Sequence, residues 1–330
     1  YSDYDFEQYI WAKGQRHLSV TGSHGCVRAC DFCDIGKQFG RYKFKDGVRL
    51  ANELIHLQQT YGINHFIFTD SLINGSMKHF KLFIEVMSEY NRTAPVKISW
   101  SSQYIARDEL RFIKDPDGYY RMVAESGAQG LTIGAESGSN HVLTAMKKKT
   151  TVEALLFEME YFRKYGITCT LLTFVGHWAE THANFIEHCE TMVKLTPYFR
   201  SATITDIILG VTYNVLEGTP SYSNLELIKD PRHTTRLWVA RNNRSNTLKV
   251  RLKRRLILSK LIELLNIRTA QVEGEAFQIE YEFMRFYQKE INEFYEKYAQ
   301  GDHSAFINND EEFIQSIINY KPQLLSLIHI

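Results

Sequence analysis

Six short runs rich in Ile, Val, Thr and Phe constrain the fold more than any other feature of this chain. They are HLSVTGS (17–23), HFIFTD (65–70), KISWSS (97–102), GLTIGAE (130–136), CTLLTFVG (169–176) and ATITDIIL (202–209). Most are continuously apolar rather than alternating, as expected of strands covered on both faces of a parallel sheet. Between them lie helical patterns. VRLANELIHLQQTYG spaces Leu50, Leu54 and Leu57 at helical intervals and stops at Gly62; MKHFKLFIEVMSEYN repeats the spacing with Phe80, Phe83, Ile84 and Met87. TVEALLFEMEYFRKYG begins at a Thr150–Thr151 cap and ends at Gly166, and THANFIEHCETMVKL completes the set. Strand–helix alternation with short connections predicts right-handed βαβ units. Six strands are too few for a closed eight-stranded barrel and suit an open, curved partial barrel or a doubly wound sheet.

After about residue 210 the rhythm changes. GVTYNVLEGTPSYSNLELIKDPRH is turn-rich, TLKVRLKRRLILSKLIELLN reads as a helix, and a further helix is expected in GEAFQIEYEFMRFYQKEINEFYEKYAQG. The expected organisation is a lead-in over 1–16, an α/β unit over 17–210, and an irregular segment with helices over 211–330. A basic run spans 232–255 (Arg232, Arg236, Arg241, Arg244, Lys249, Arg251, Lys253, Arg254, Arg255). Interleaved leucines make it a solvated amphipathic face rather than a nucleic-acid footprint, so a nucleic-acid partner is only weakly supported.

The formal net charge of +1 gives no whole-chain field for nucleic acid or membrane. No apolar run approaches the roughly 18 to 20 residues of a membrane span. The start, YSDYDFEQYIWAKGQRH, is not signal-like, and Tyr1 in place of methionine leaves room for an upstream domain.

Five cysteines are an odd number, and three crowd into GCVRACDFC as Cys26, Cys30 and Cys33. Cys169 and Cys189 sit in apolar contexts and read as small buried hydrophobes. A reduced, cytoplasmic location fits this usage. Three thiolates are one short of a closed zinc site, which His24 or Asp34 would complete. An iron–sulfur cube held by three thiolates instead leaves one iron open to bind something else.

With Phe32 before the last cysteine and a strand before the first, this loop resembles the cluster loop of the radical S-adenosylmethionine (SAM) superfamily. The resemblance extends in order over about residues 17–225, through FIFTDSLI, GAESGSNHVLTAMKK, FVGHWAET and LEGTP. It is nearest the branch that includes methylthiotransferases and enzymes whose radical domain follows a cobalamin-binding domain. The resemblance implies a partial (β/α)6 TIM-like barrel with a mostly α-helical C-terminal extension. It also implies a [4Fe–4S] cluster on Cys26, Cys30 and Cys33 whose open iron chelates SAM. Reductive cleavage of SAM would then give a 5′-deoxyadenosyl radical, with flavodoxin or ferredoxin as electron donor. Cobalamin is compatible with the branch, although no D-x-H-x-x-G module is visible.

The resemblance further assigns cofactor contacts. Phe32 would cover the adenine or the cluster, and Asp70 would face the methionine amino group. By their own placement, Arg107 reads as a fork for the SAM carboxylate or as an exposed helix-start arginine. Glu136 with Ser137, at a strand end where an unpaired buried carboxylate is costly, reads as a partner for a ribose or a basic group. Gly176 and Glu180 would border the adenine. Between the last two, His177, Trp178 and Ala179 replace the family's small and proline residues, a departure that shapes a substrate pocket or packs against the tail. The expected function is radical modification, methylation or rearrangement, of an unknown substrate. The alternatives are a methylthiotransferase-like tRNA or protein modifier and a non-catalytic cluster- or zinc-stabilised module.

Overall fold

The computed structural model describes Phe6 and residues 16–210, 212–227 and 238–269. The expected helix over 274–301, Arg232 and Arg236 fall outside these residues.

The strands are β1 (His17–Val20), β2 (Ser23–His24), β3 (Lys43–Phe44), β4 (His65–Phe68), β5 (Ser99–Ser101), β6 (Gln103–Tyr104), β7 (Leu131–Glu136), β8 (Cys169–Thr173), β9 (Ile204–Leu209), β10 (Leu225–Leu227) and β11 (Trp238–Ala240). The helices are α1 (Ile35–Phe39), α2 (Gly47–Tyr61), α3 (Met77–Thr93), α4 (Pro116–Glu125), α5 (Asn140–Ala145), α6 (Val152–Tyr165), α7 (His182–Arg200) and α8 (Leu248–Leu264).

Two parallel sheets, β1-β4-β5 and β6-β7-β8-β9, follow chain order. Strands β5 and β6 are successive pieces of one extended stretch, interrupted at Ser102. The six expected runs therefore line up in sequence order as an open (β/α)6 barrel wall, with helices outside. Inner and outer layers meet in one core that includes Phe66, Phe83, Trp100, Phe162, Phe185, Leu54 and Leu57. Each fully buried aliphatic or aromatic side chain there contributes about 1.5–3 kcal/mol.

Local chemistry sets the helix ends. The Asp46 carboxylate accepts from the Val48 and Arg49 N–H groups to start α2, and Gly62 closes it at φ 68°. Thr181 and Asn184 form a reciprocal capping box at α7. At Gly47 a Cβ would run into the His79 carbonyl, so only glycine lets α2 approach α3 this closely.

Helix α4 has no counterpart among the sequence expectations. Pro116 at its first turn and the Asp115 cap start it, and Tyr119, Tyr120 and Val123 form its buried face. The basic run is corrected in part: Arg241 and Arg244 are exposed, as expected. Helix α8 is present where expected, but Arg251, Arg254 and Arg255 are buried, not solvated. Arg254 reaches Glu180, Arg255 donates to the Gly210 carbonyl, and the Arg251 guanidinium lies 3.6 Å over the Trp238 ring. The leucine face and the arginine face both find partners, because α8 seats against α7 and the loops at the strand ends.

A second apolar cluster stands apart from the core. Tyr213, Val215, Leu225, Trp238 and Ala240 gather with Phe32, Phe174, Trp178 and Tyr222. The antiparallel pair β10–β11 supplies part of it. Phe32 belongs to the cysteine loop, so this cluster is the wall against which that loop rests.

Candidate cluster-binding site

Loops at the carboxyl ends of parallel strands carry the sites of barrel folds, and here they hold the cysteines. The chain leaves β1, makes the short β2–β3 pairing, and turns at Gly25, φ 75°, into the loop. The Cys33 N–H donates to the Cys30 carbonyl at 3.3 Å, and the Arg28 N–H reaches Cys26 Sγ at 3.4 Å. All three thiols are free and partly exposed. They lie within mutual electrostatic reach: Cys26 and Cys33 both bear on Cys30. Burial pushes the Cys30 thiol up to about 11 and raises Cys33 as well.

Among the described residues, no group of three or more His, Cys, Asp or Glu is placed to hold a single metal ion. A cube spreads its thiolates over separate irons, and three half-buried thiols in one loop fit that demand. Iron also takes the thiolate form, which removes the protonation that burial otherwise favours.

The loop is held from outside at Asp31, which is 2% exposed. Its N–H donates to the Met146 carbonyl at 2.9 Å, and its carbonyl accepts from the Ser221 N–H at 3.0 Å. Its carboxylate accepts from Trp178 Nε1 at 2.7 Å and meets His177 Nε2 at 3.3 Å. His177 Nδ1 accepts from the Ala179 N–H at 3.3 Å, leaving Nε2 as the donor toward Asp31. Burial lowers the His177 pKa, partly countered by Asp31. The residues that depart from the family pattern thus grip the cysteine loop.

Strand β7 ends at the same place. Glu136 stands at φ 57° beside a bulge between Gly134 and Glu136, and its carboxylate pairs with Lys148. Both side chains are largely buried, at 12% and 11% exposure. The Lys148 ammonium bears on Cys30, Cys26 and Cys33, and lies 5.9 Å over the Phe32 ring. Burial alone would depress this ammonium, but Glu136 and the cysteines raise its pKa on balance. Ser137 is buried beside the pair and accepts from the Ser139 N–H. Phe32 makes an edge contact with Phe174 at 5.6 Å.

Other expected contacts are engaged within the protein. The Asp70 carboxylate accepts from the Gly22 N–H at 2.8 Å and the Ser23 hydroxyl at 2.7 Å, fixing the approach to the loop. Burial raises its pKa against those bonds. Arg107 donates to the Asn74 carbonyl through Nε and Nη2, to the Gly75 carbonyl through Nη2, and to Glu109 through Nη1. Glu180 is buried, accepting from the Gly176 N–H at 3.1 Å and Arg254 Nη1 at 3.0 Å. Gly176, at φ 89°, leaves room for the Arg251 stem.

Four residues were missing from the sequence-derived set: Asp31, Lys148, Arg254 and, in the loop itself, Arg28. Burial lowers the Arg28 pKa, and Arg107 adds to the effect. Its Nε and Nη2 atoms are buried without a protein partner. Those two nitrogens form the edge that grips a carboxylate in bidentate fashion. Lys148 had a signal, since Glu136 at a strand end demands a cation.

Comparison with known proteins places this arrangement. The family model for the Radical SAM superfamily matches residues 20–192, more than half of the chain, and the chain belongs to that family. The family's cofactors are a [4Fe–4S] cluster and SAM. Among curated proteins, the chain is similar to cytidylyl-2-hydroxyethylphosphonate methyltransferase of Streptomyces wedmorensis. The identity is 25% over 174 residues, 50% of this chain and 31% of that protein. It is also similar to the anaerobic magnesium-protoporphyrin IX monomethyl ester cyclase of Cereibacter sphaeroides, 28% identical over 149 residues, 45% and 23% of the two chains. The chain therefore spans less than a third of these relatives.

Among solved structures, it resembles the cobalamin-dependent SAM radical enzyme OxsB with aqua-cobalamin and SAM bound. The TM-score is 0.58 at 14% identity, over 92% of this chain and 49% of that one. The radical SAM methyltransferase TsrM from Kitasatospora setae, with cobalamin and a [4Fe–4S] cluster bound, gives a TM-score of 0.51 at 18% identity. That match covers 63% of this chain and 36% of the other. Both likenesses concern the fold, a partial TIM-like barrel. Among the described residues no helix is long and apolar enough to cross a membrane.

Proposed function

We propose that Cys26, Cys30 and Cys33 hold a [4Fe–4S] cluster that binds SAM, and that the chain is the radical-generating part of an enzyme that methylates or rearranges an unreactive carbon. The observation that carries this reading is the gathering of three half-buried thiols in one loop at the strand ends, inside the span matched by the family. When bound, the cluster supplies one electron to SAM and so generates a carbon radical.

This chain's own residues hold and shield. Phe32, Phe174, Trp178 and Tyr213 form an apolar wall beside the loop, which keeps water from a reactive carbon centre. Arg28 offers its unspent guanidinium edge to the methionyl carboxylate, a task for which Arg107 has already committed most of its donors. The phosphonate methyltransferase relative favours methyl transfer, and the cobalamin-bound fold neighbours make cobalamin a compatible second cofactor.

Anaerobic reconstitution with iron and sulfide, reduction, and addition of SAM test the proposal. The expected result is cubane absorption, four irons per chain by the stoichiometry of the cluster, and release of 5′-deoxyadenosine. Accompanying S-adenosylhomocysteine marks methyl transfer. Stoichiometric zinc with no 5′-deoxyadenosine overturns the reading.

A further inference from the structure

The Glu136–Lys148 pair is more than a buried ion pair that steadies the end of β7. Its placement is over-determined. The Asp31 N–H bond to the Met146 carbonyl ties the cysteine loop to the turn that carries Lys148. The Lys148 N–H donates to the Leu143 carbonyl at 3.0 Å, fixing its backbone. A Cβ at Gly134 would collide with both Glu136 Oε1 and Lys148 Nζ, so glycine keeps their shared space open. Lys148 is 9% exposed and its ammonium is directed at Phe32, the residue just before Cys33. On Cys30, Lys148 acts more strongly than Glu136, the two with opposite sign.

We infer that Lys148 and Glu136 form a charge pair that sets the reduction potential of the cluster held by Cys26, Cys30 and Cys33. This inference rests on the cluster assignment above. Reduction adds one electron, so a fixed positive charge beside the site favours the reduced form and a fixed negative charge opposes it. The cation, set against Phe32 beside Cys33, dominates, and the carboxylate tempers it. The pair therefore works as an opposed couple: removing one member moves the potential in one direction, and removing the other reverses it. A purely structural pair has no such signature, because loss of either partner disturbs packing in the same sense.

The test is an EPR-monitored redox titration of the reconstituted protein, without SAM and independent of turnover. K148M should make reduction harder by about tenfold in the equilibrium constant, and E136Q should make it easier by a comparable factor. K148R, which keeps the charge, should stay close to wild type. For a one-electron couple, tenfold corresponds to about 59 mV. Iron and sulfide content are measured on each variant. If K148M fails to load, the nearly isosteric E136Q still decides the matter by the direction of its shift. Wild-type potential in E136Q and K148M, or displacement of both in the same direction, overturns the inference while the cluster assignment stands. Failure of wild-type protein to assemble a cubane overturns the cluster assignment itself.

Discussion

Trp178 Nε1 donates to Asp31 Oδ2 at 2.7 Å, joining two residues 147 positions apart in the chain. The bond fastens the cysteine loop to the loop after β8. With His177 on the other oxygen, the Asp31 carboxylate is held by two ring N–H donors in a site with almost no water access. Hydrogen bonds to a charged, buried group contribute about 1.5–3 kcal/mol each, and losing one side strands the other. Asp31→Ala should lower the unfolding free energy of the cluster-free protein by about 2–4 kcal/mol. Trp178→Phe, which removes one donor and keeps the ring, should cost about half of that. Urea unfolding gives both values, and equal stability of all three proteins would refute the clamp. Iron content after reconstitution should fall in the same order.

Each loop cysteine should be needed for the cluster, whereas the two remaining cysteines should not. Cys169 and Cys189 are buried in the core, and burial raises both thiols far from the thiolate form. Cys26→Ala, Cys30→Ala and Cys33→Ala should each abolish or strongly reduce cubane absorption and bound iron, because each removes one thiolate of the set that holds the cluster. Cys189→Ala should load normally at a modest cost in stability. Loading of any loop variant to the wild-type level would contradict the assignment.

The buried pair of Glu180 and Arg254 makes a prediction about stability alone. The two meet at 3.0 Å with side chains almost wholly excluded from water. Burial raises the Glu180 pKa and Arg254 opposes that effect. Removing one partner leaves an uncompensated charge, a cost of about 3–5 kcal/mol, whereas removing both is far milder. Arg254→Met should therefore destabilise strongly, and Glu180→Gln with Arg254→Met should recover most of the loss. A double-mutant cycle in chemical denaturation measures the coupling. Additive losses would show that the pair does not act as a unit.

The strands were readable because short runs rich in Leu, Ile, Thr and Phe stand between turn residues, as in CTLLTFVG, which becomes β8. In the fold, burial along β7 and β8 alternates between buried and partly buried positions, whereas the continuous run suggested cover on both faces. The cysteine loop was readable because its three sulfurs are local in sequence. Asp31 was not, since its partners His177 and Trp178 arrive only when β8 pairs between β7 and β9. Helix α4 escaped notice because its buried face is made of Tyr119 and Tyr120, residues common in strands, around a Gly118 that weakens a helical reading. The arginines of α8 look solvated in sequence; tertiary contact with Glu180, Gly210 and Trp238 decides otherwise. Arg107 likewise invites a ligand role until the backbone carbonyls of Asn74 and Gly75 claim its donors.

Glu158 carries the clearest pH dependence. It is fully buried in α6, its Oε1 accepts the Arg107 N–H at 3.0 Å, and its Oε2 has no partner. Burial raises its pKa from 4.5 to about 8, opposed chiefly by the bond from the Arg107 N–H. At neutral pH the acid is therefore protonated in the fold, although it would ionise once unfolded. Because the folded value is the higher one, the stabilising effect is complete below about 4.5 and disappears as pH rises through about 8. The total loss is on the order of a few kcal/mol. Glu158→Gln keeps an acceptor for Arg107 and cannot ionise, so it should flatten this part of the profile. Wild type should lose ground against Glu158→Gln steadily between pH 5 and pH 8, read as the difference in urea midpoint, and parallel profiles would show that Glu158 does not bind its proton in the fold.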